Sequence, residues 1–332
     1  GVGASFDRWP AETRFITPSF PTNSIGMLDL NAIAIGASPA HGLKVEHPTG
    51  PQYAKHLRGV AEHFQLPVRE GVNVVSVTGA ANLIVETEDE TLYCKHLIWA
   101  AGEFQYPKSH QFDGAELCRH TATVPSYADL PGDDFVIIGG YESGVDAAYH
   151  LARHGKRSRL LDAGCPWADE SSDPSVALST YSFERMRDDR FESSVELLPN
   201  RRVLAVTRDG DSYVVLVDGG DQLETPTPPL LATGFEGSLG LVEDHFELRE
   251  DGYPVLTKND ESTMCPGLFL CGPSVRHDQH VFCFIYKYRQ RFAVVAKAIA
   301  NDLGLPADGL EAYRQWGMYL DDLSCCGEEC AC

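Results

Sequence analysis

Nowhere in this chain of 332 residues do two cysteines stand as C-x-x-C. That absence sets aside the dithiol of a thioredoxin-type redox motif and the paired ligands of a zinc knuckle. Positive charge is also scarce. Lys and Arg number 27 against 48 Asp and Glu, a net charge of −21, which argues against nucleic acid and anionic membrane surfaces as partners. No apolar run approaches the ~20 residues of a bilayer-spanning helix, and no secretory signal pattern is visible. The ten cysteines do not form a disulfide scaffold: six are scattered, several in apolar runs (Cys94, Cys271, Cys283), and four crowd the last eight residues. With nucleotide-type segments around them, they point to a reducing, cytoplasmic setting.

The most informative segment lies well inside the chain. Asp134-Phe-Val-Ile-Ile138 is a short apolar run, as a buried parallel strand requires. Gly139 and Gly140 follow at once, where a tight turn and close backbone approach need residues without a Cβ. Glu142, Ser143 and Gly144 open a helix with apolar positions at Val145, Ala148 and Leu151, whose N-terminus would face a pyrophosphate. Gly155 is placed to end that helix. A second strand, Ser158 to Leu161, leads to Asp162, an acceptor for an adenosine ribose. Tyr141 replaces the middle glycine of G-x-G-x-x-G. Neighbouring Lys156, Arg157 and Arg159 offer charge for a 2′-phosphate, so NADH and NADPH both stay open.

Three further strand ends surround this turn. Leu97-Ile-Trp-Ala-Ala101-Gly102, Leu230-Leu-Ala-Thr-Gly234 and Gly267-Leu-Phe-Leu-Cys-Gly272 are apolar runs closing on glycine. The last precedes a helical pattern from Phe282 to Ala300 that includes Phe284. Their order predicts an α/β fold of two Rossmann-like dinucleotide-binding domains, an NAD(P) domain inserted into an FAD domain. The expected bounds are 1–125 and 255–320 for FAD, 126–254 for NAD(P), and 321–332 for a Cys-rich tail. Gly1 to Phe6 has glycines with no strand before them, so the N-terminal βαβ unit of the FAD domain is expected to be missing. The aromatic, hydroxyl-rich segment that follows would line an isoalloxazine ring, with Ser5, Trp9, Arg14, Thr17 and Ser19 as cofactor-binding candidates.

These residues carry a resemblance. Ser5-Phe6 to Trp9-Pro10, Arg14 to Phe20, Ile138 to Ala148, Asp173 to Val176, Ala232 to Phe235, Phe282 to Val295 and Met318 to Cys326 resemble the flavin-containing monooxygenase-like flavoproteins of bacteria, including CzcO-type members. The resemblance implies bound FAD, reduction by NADPH or NADH, and electron transfer to oxygen or another acceptor. It also implies a small-molecule substrate, a homodimer and a functional link to metal-ion transport. In the F-x-G-x-x-x-H fingerprint, Phe112-Asp-Gly114 is present and His120 stands two positions late, with Tyr127 displaced too. Pro273 stands where these proteins often carry an Asp. No catalytic side chain is assigned, because the flavin carries the chemistry.

The tail supports two rival functions. Cys325, Cys326, Cys330 and Cys332 are soft ligands for Zn(II) or Cu(I). The pair Cys325-Cys326 is also comparable to the C-terminal pair of mercuric ion reductases. Beside the monooxygenase-like reading stand a flavin-dependent reductase of disulfides or soft metals and a metal-thiolate accessory or redox-sensing protein.

Overall fold

The computed structural model describes residues 1–21, 28–80, 82–171, 173 and 175–324. The four tail cysteines lie outside the described residues. Helices α1 (Ala4–Asp7) and α2 (Pro39–Leu43) are short, whereas α3 (Gly50–His63) has a complete start signal. Thr49 Oγ1 accepts from Gln52 N at 3.3 Å and the Gln52 side chain accepts from Thr49 N at 2.9 Å. Gly50 is required there, since a Cβ would fall 2.2 Å from the Phe6 carbonyl oxygen. The close approach lets Tyr53 of α3 join Phe6 and Phe15 in an aromatic cluster, with Phe15 4.5 Å from Tyr53 between ring centroids. Strands β1 (Val74–Thr78), β2 (Leu83–Thr87) and β3 (Thr91–Cys94) form an antiparallel meander, and β4 (Leu97–Trp99) follows.

The chain then crosses to a second unit. Its strands are β5 (Arg119–His120), β6 (Asp134–Ile138), β7 (Arg157–Leu161) and β8 (Val195–Leu198), then the meander β9 (Val203–Asp209), β10 (Ser212–Val217) and β11 (Gln222–Thr225), and finally β12 (Leu230–Leu231). The five parallel strands lie in the order β5-β12-β6-β7-β8. Between them run α4 (Glu142–Arg153), α5 (Thr180–Met186) and α6 (Asp189–Ser194). One sheet face packs Phe135, Ile137 and Leu160 against Val145, Ala148 and Leu151 of α4. The other packs Val136, Ile138 and Leu161 against Val206 and Val215 of the meander. Burial on both faces is why β6 reads as a continuous apolar run rather than an alternation. Gly155, at φ +74°, ends α4 as its position predicts.

After the second unit the chain returns. Strand β13 (Leu268–Leu270) pairs in parallel with β4, and α7 (Ile285–Asp302) follows. The second unit thus lies in sequence between the paired strands β4 and β13. Arg119–His120 already pairs with β12, while Val242 and Phe246 pack with Val77, Leu83 and Trp99 in the first unit's core. The two crossings lie side by side. Pro107 and Phe235 form an antiparallel bridge, and Lys108 N donates to Gly234 O at 3.0 Å. The strand β12 has a parallel neighbour on each side; among the described residues β4 has only β13, and Ile98 is 46% exposed. No helix of the described residues is long and apolar enough to cross a membrane.

Candidate active site

A cavity of ≈ 680 Å³ opens between the two units. Ala101 and Gly102, just past β4, and Gly272, just past β13, form part of its wall. Gly102 has φ +72° and Gly272 φ +111°, and no atom lies within 4 Å of where a Cβ would stand on either. A side chain at either position would be strained and would project into open space that a flat ligand can use. Phe284, the N-cap residue of α7, lines the cavity as well, and no side chain caps that helix. The start of α7 thus brings its positive end to the cavity. From the N-terminal segment come Ser5, Trp9, Arg14 and Thr17. Ser19 does not reach it. It is 2% exposed, and its hydroxyl accepts from Asn31 Nδ2 at 2.9 Å.

The second unit contributes the first turns of α4: Glu142, Ser143 and Asp146. Gly139, Gly140 and Gly144 stand behind this edge rather than on it, and each is needed for packing. Gly139 has φ +105°, and a Cβ there would meet the Ala232 carbonyl oxygen at 2.4 Å. On Gly140 it would meet Trp167 at 2.4 Å and Asp162 at 2.9 Å, and on Gly144 the Gly139 carbonyl at 1.9 Å. Trp167 and Asp162 thus leave no room for a side chain at position 140. Asp162 is held at the turn by two backbone donors, Gly140 N and Gly164 N, both at 2.7 Å. Tyr141 sends its hydroxyl to Ala177 O at 2.8 Å. Glu142 accepts from Ser179 N and Ser182 Oγ, each at 2.5 Å, so the start of α5 is tied to the start of α4. Gly234 sits at the crossing between the units.

A family profile described as pyridine nucleotide-disulphide oxidoreductase matches residues 1–272. The chain belongs to this family. It is 25% identical over 236 residues to a bifunctional thioredoxin reductase/thioredoxin of Mycobacterium leprae, covering 68% of this chain and 48% of that one. The chain spans about half the length of that relative. Its fold is similar to bacillithiol disulfide reductase from Staphylococcus aureus, with TM-score 0.70 and 18% identity over 90% of this chain and 88% of that one. It is similar also to a flavin monooxygenase from Stenotrophomonas maltophilia, with TM-score 0.65 and 15% identity over the same shares, 90% and 88%. Flavin and pyridine nucleotide are the cofactors of such an oxidoreductase, and the open cradle at Gly102 and Gly272 fits a flat ring.

Several groups at the cavity escape sequence reading. Asp146 is 6% exposed and bridges the units: it accepts from Thr13 Oγ1 at 2.6 Å and Arg185 Nη1 at 2.5 Å, with the His150 ring 3.4 Å away. Burial opposes its ionisation, yet His150, Arg185 and Thr13 together hold its carboxyl well below the usual range. Glu103 moves the other way, pushed up by burial against the pull of Arg276 and Lys108. Both Cys271 and Cys283 line the cavity. Burial pushes the Cys271 thiol up to about 12 and raises that of Cys283 as well. His120 is tied to the backbone through both ring nitrogens. Its Nδ1 accepts from Ala122 N and its Nε2 donates to Gly234 O, both at 3.1 Å, which fixes a neutral ring at the crossing. Tyr127, 1% exposed, packs in the second unit's core. Among the described residues no group of three or more His, Cys, Asp or Glu is placed to hold a metal ion.

Proposed function

We propose that this oxidoreductase is an NAD(P)H-dependent flavoenzyme of the monooxygenase-like type, acting on a small molecule. The observation that carries the reading is one cavity bordered by both nucleotide units: Gly102 and Gly272 on one side, Glu142 and Ser143 on the other. When bound, the flavin supplies hydride acceptance from NAD(P)H and delivery of two electrons to oxygen or another acceptor. The chain's own residues provide the rest. The two glycines leave room for the ring, the start of α7 lends partial positive charge, and Phe104, Phe235 and Phe292 give the cavity apolar lining. Glu103, whose carboxyl is raised by burial against the pull of Arg276 and Lys108, is the cavity carboxyl best suited to hold a proton.

A disulfide reductase is the second reading, favoured by two thiols on the same cavity and by relatives that reduce disulfides. Against it, burial keeps both thiols protonated, and a thiol needs its thiolate to exchange. The soft-metal reading and a link to metal-ion transport rest on the tail alone. Acceptor-dependent NAD(P)H oxidation separates them. Oxygen-dependent turnover should dominate, and it should stay within a few-fold when Cys325, Cys326, Cys330 and Cys332 are replaced by Ser. Turnover that requires an added disulfide, or that vanishes with the tail thiols, overturns the proposal.

A further inference from the structure

The second unit leaves open which nicotinamide cofactor it prefers, and its side chains decide the question. A 2′-phosphate needs a cation at the end of β7, where the adenosine ribose sits; a free 2′-hydroxyl needs an acceptor there. Three basic residues near β7 are candidates for the phosphate, and each is directed elsewhere. Lys156 is buried, with its ammonium donating to the Leu130 and Gly132 carbonyls. Arg159 donates to Glu224 O at 2.7 Å and lies 3.4 Å from Asp134. Arg157 is exposed and pairs in register with Asp134, at the opposite end of the strand from the glycine turn. From Arg157 to Leu161 the strand covers about 13 Å, at ~3.3 Å per residue. Arg201 approaches Asp162 through its backbone, donating to the Asp162 carbonyl at 2.7 Å, but its guanidinium lies 3.7 Å from Asp221.

What stands at the ribose end is a carboxylate. Asp162 is fixed by the two backbone N–H groups of Gly140 and Gly164, and Trp167 packs beside it over Gly140. Each carboxylate oxygen keeps a further lone pair for a ribose hydroxyl. Among the described residues the Asp162 carboxylate forms no ion pair with a Lys, Arg or His side chain, Arg159 and Arg201 being paired with Asp134 and Asp221. Resting on the pyridine-nucleotide reading above, we infer that Asp162 selects the cofactor with a free 2′-hydroxyl, NADH, and disfavours the 2′-phosphate of NADPH. A phosphate dianion against this carboxylate meets like charge with no cation to offset it.

Calorimetric titration of the full chain with ADP-ribose and with its 2′-phosphate tests the inference without turnover. ADP-ribose should bind at least about tenfold more tightly. Asp162→Ser should narrow or invert that ratio, while Arg157→Ala and Arg201→Ala should leave it unchanged. Equal or tighter binding of the 2′-phosphate by the unsubstituted protein overturns the NADH preference alone, and that measurement does not depend on how any variant folds. A selective loss of 2′-phosphate binding in either arginine variant overturns it too. If neither ligand binds a protein with an intact thermal transition, the assignment of this unit to a dinucleotide falls, and the preference with it.

Discussion

Replacing Asp146 by Ala removes one carboxylate from three partners at once. Arg185 would keep its guanidinium in the interior, 5% exposed, with its nearest anion gone. Breaking a buried pair on one side costs about 3–5 kcal/mol, because the remaining charge is uncompensated. The lost acceptor for Thr13 adds about 1 kcal/mol. The sum, about 4–6 kcal/mol, is a large part of the 5–15 kcal/mol that holds a typical domain together. Urea denaturation at pH 7 should show that loss. Where Asp146→Ala is too unstable to purify, Thr13→Val isolates the smaller contact between the units and should cost about 1 kcal/mol. The double variant Asp146→Ala, Arg185→Ala should be less destabilised than the sum of its singles, since removing both charges leaves none unpaired. The folded carboxyl lies below its ordinary 3.8, so its contribution is present above that value and lost as pH falls through the folded value. The penalty for Asp146→Ala should therefore shrink in strong acid. Strict additivity of the singles, or an Asp146→Ala cost under about 1 kcal/mol, refutes the network as described.

Gly102→Ala should lower flavin affinity by about tenfold or more, with a modest fall in thermal midpoint, because φ is +72° and a Cβ would enter the cavity. Fluorescence titration with FAD checks this, and unchanged affinity removes Gly102 from the cradle. Burial lowers the His120 titration below its ordinary 6.5, so the folded state favours the neutral ring; its stability contribution is present above 6.5 and lost as pH falls through the folded value. His120→Gln should flatten the pH dependence of the thermal midpoint between about pH 7 and 5. A profile as steep as that of the unsubstituted protein excludes His120 as the source.

The legible parts of this fold were those whose signal is local. The buried run Phe135–Ile138, the end of α4 at Gly155 and the glycines closing β4 and β13 each declare themselves within a few residues. Ala101, Gly102, Gly272 and Phe284 were found that way and do line the cavity. The groups that sequence reading missed act across long separations. Asp146 meets Thr13 from 133 positions away, and Glu103 matters only because β4 and β13 bring it beside Arg276. The basic residues near β7 also acquire their partners across long separations. Lys156, Arg157 and Arg159 look like one phosphate-binding cluster in the linear order. Strand alternation puts Arg157 and Arg159 on one face, but backbone carbonyls of distant segments take up Lys156 and Arg159.

The glycine turn shows why a motif and its function come apart. In the dinucleotide fingerprint, one glycine makes the turn, one admits the pyrophosphate and one lets the helix approach the strand. Here Gly139 and Gly144 meet the first and third needs, since a Cβ on either would collide with backbone. Those two would be required by any strand-turn-helix packed this tightly, whether or not it binds a nucleotide. The discriminating position is 141, and it holds a tyrosine anchored to Ala177. The backbone at this position therefore carries a side chain where the fingerprint has none. The proposed nucleotide contact rests instead on the side chain delivered to the turn from outside the motif. Asp162, oriented by Gly140 N and Gly164 N, has no structural ion partner within the described residues, and a packing role alone does not require its charge.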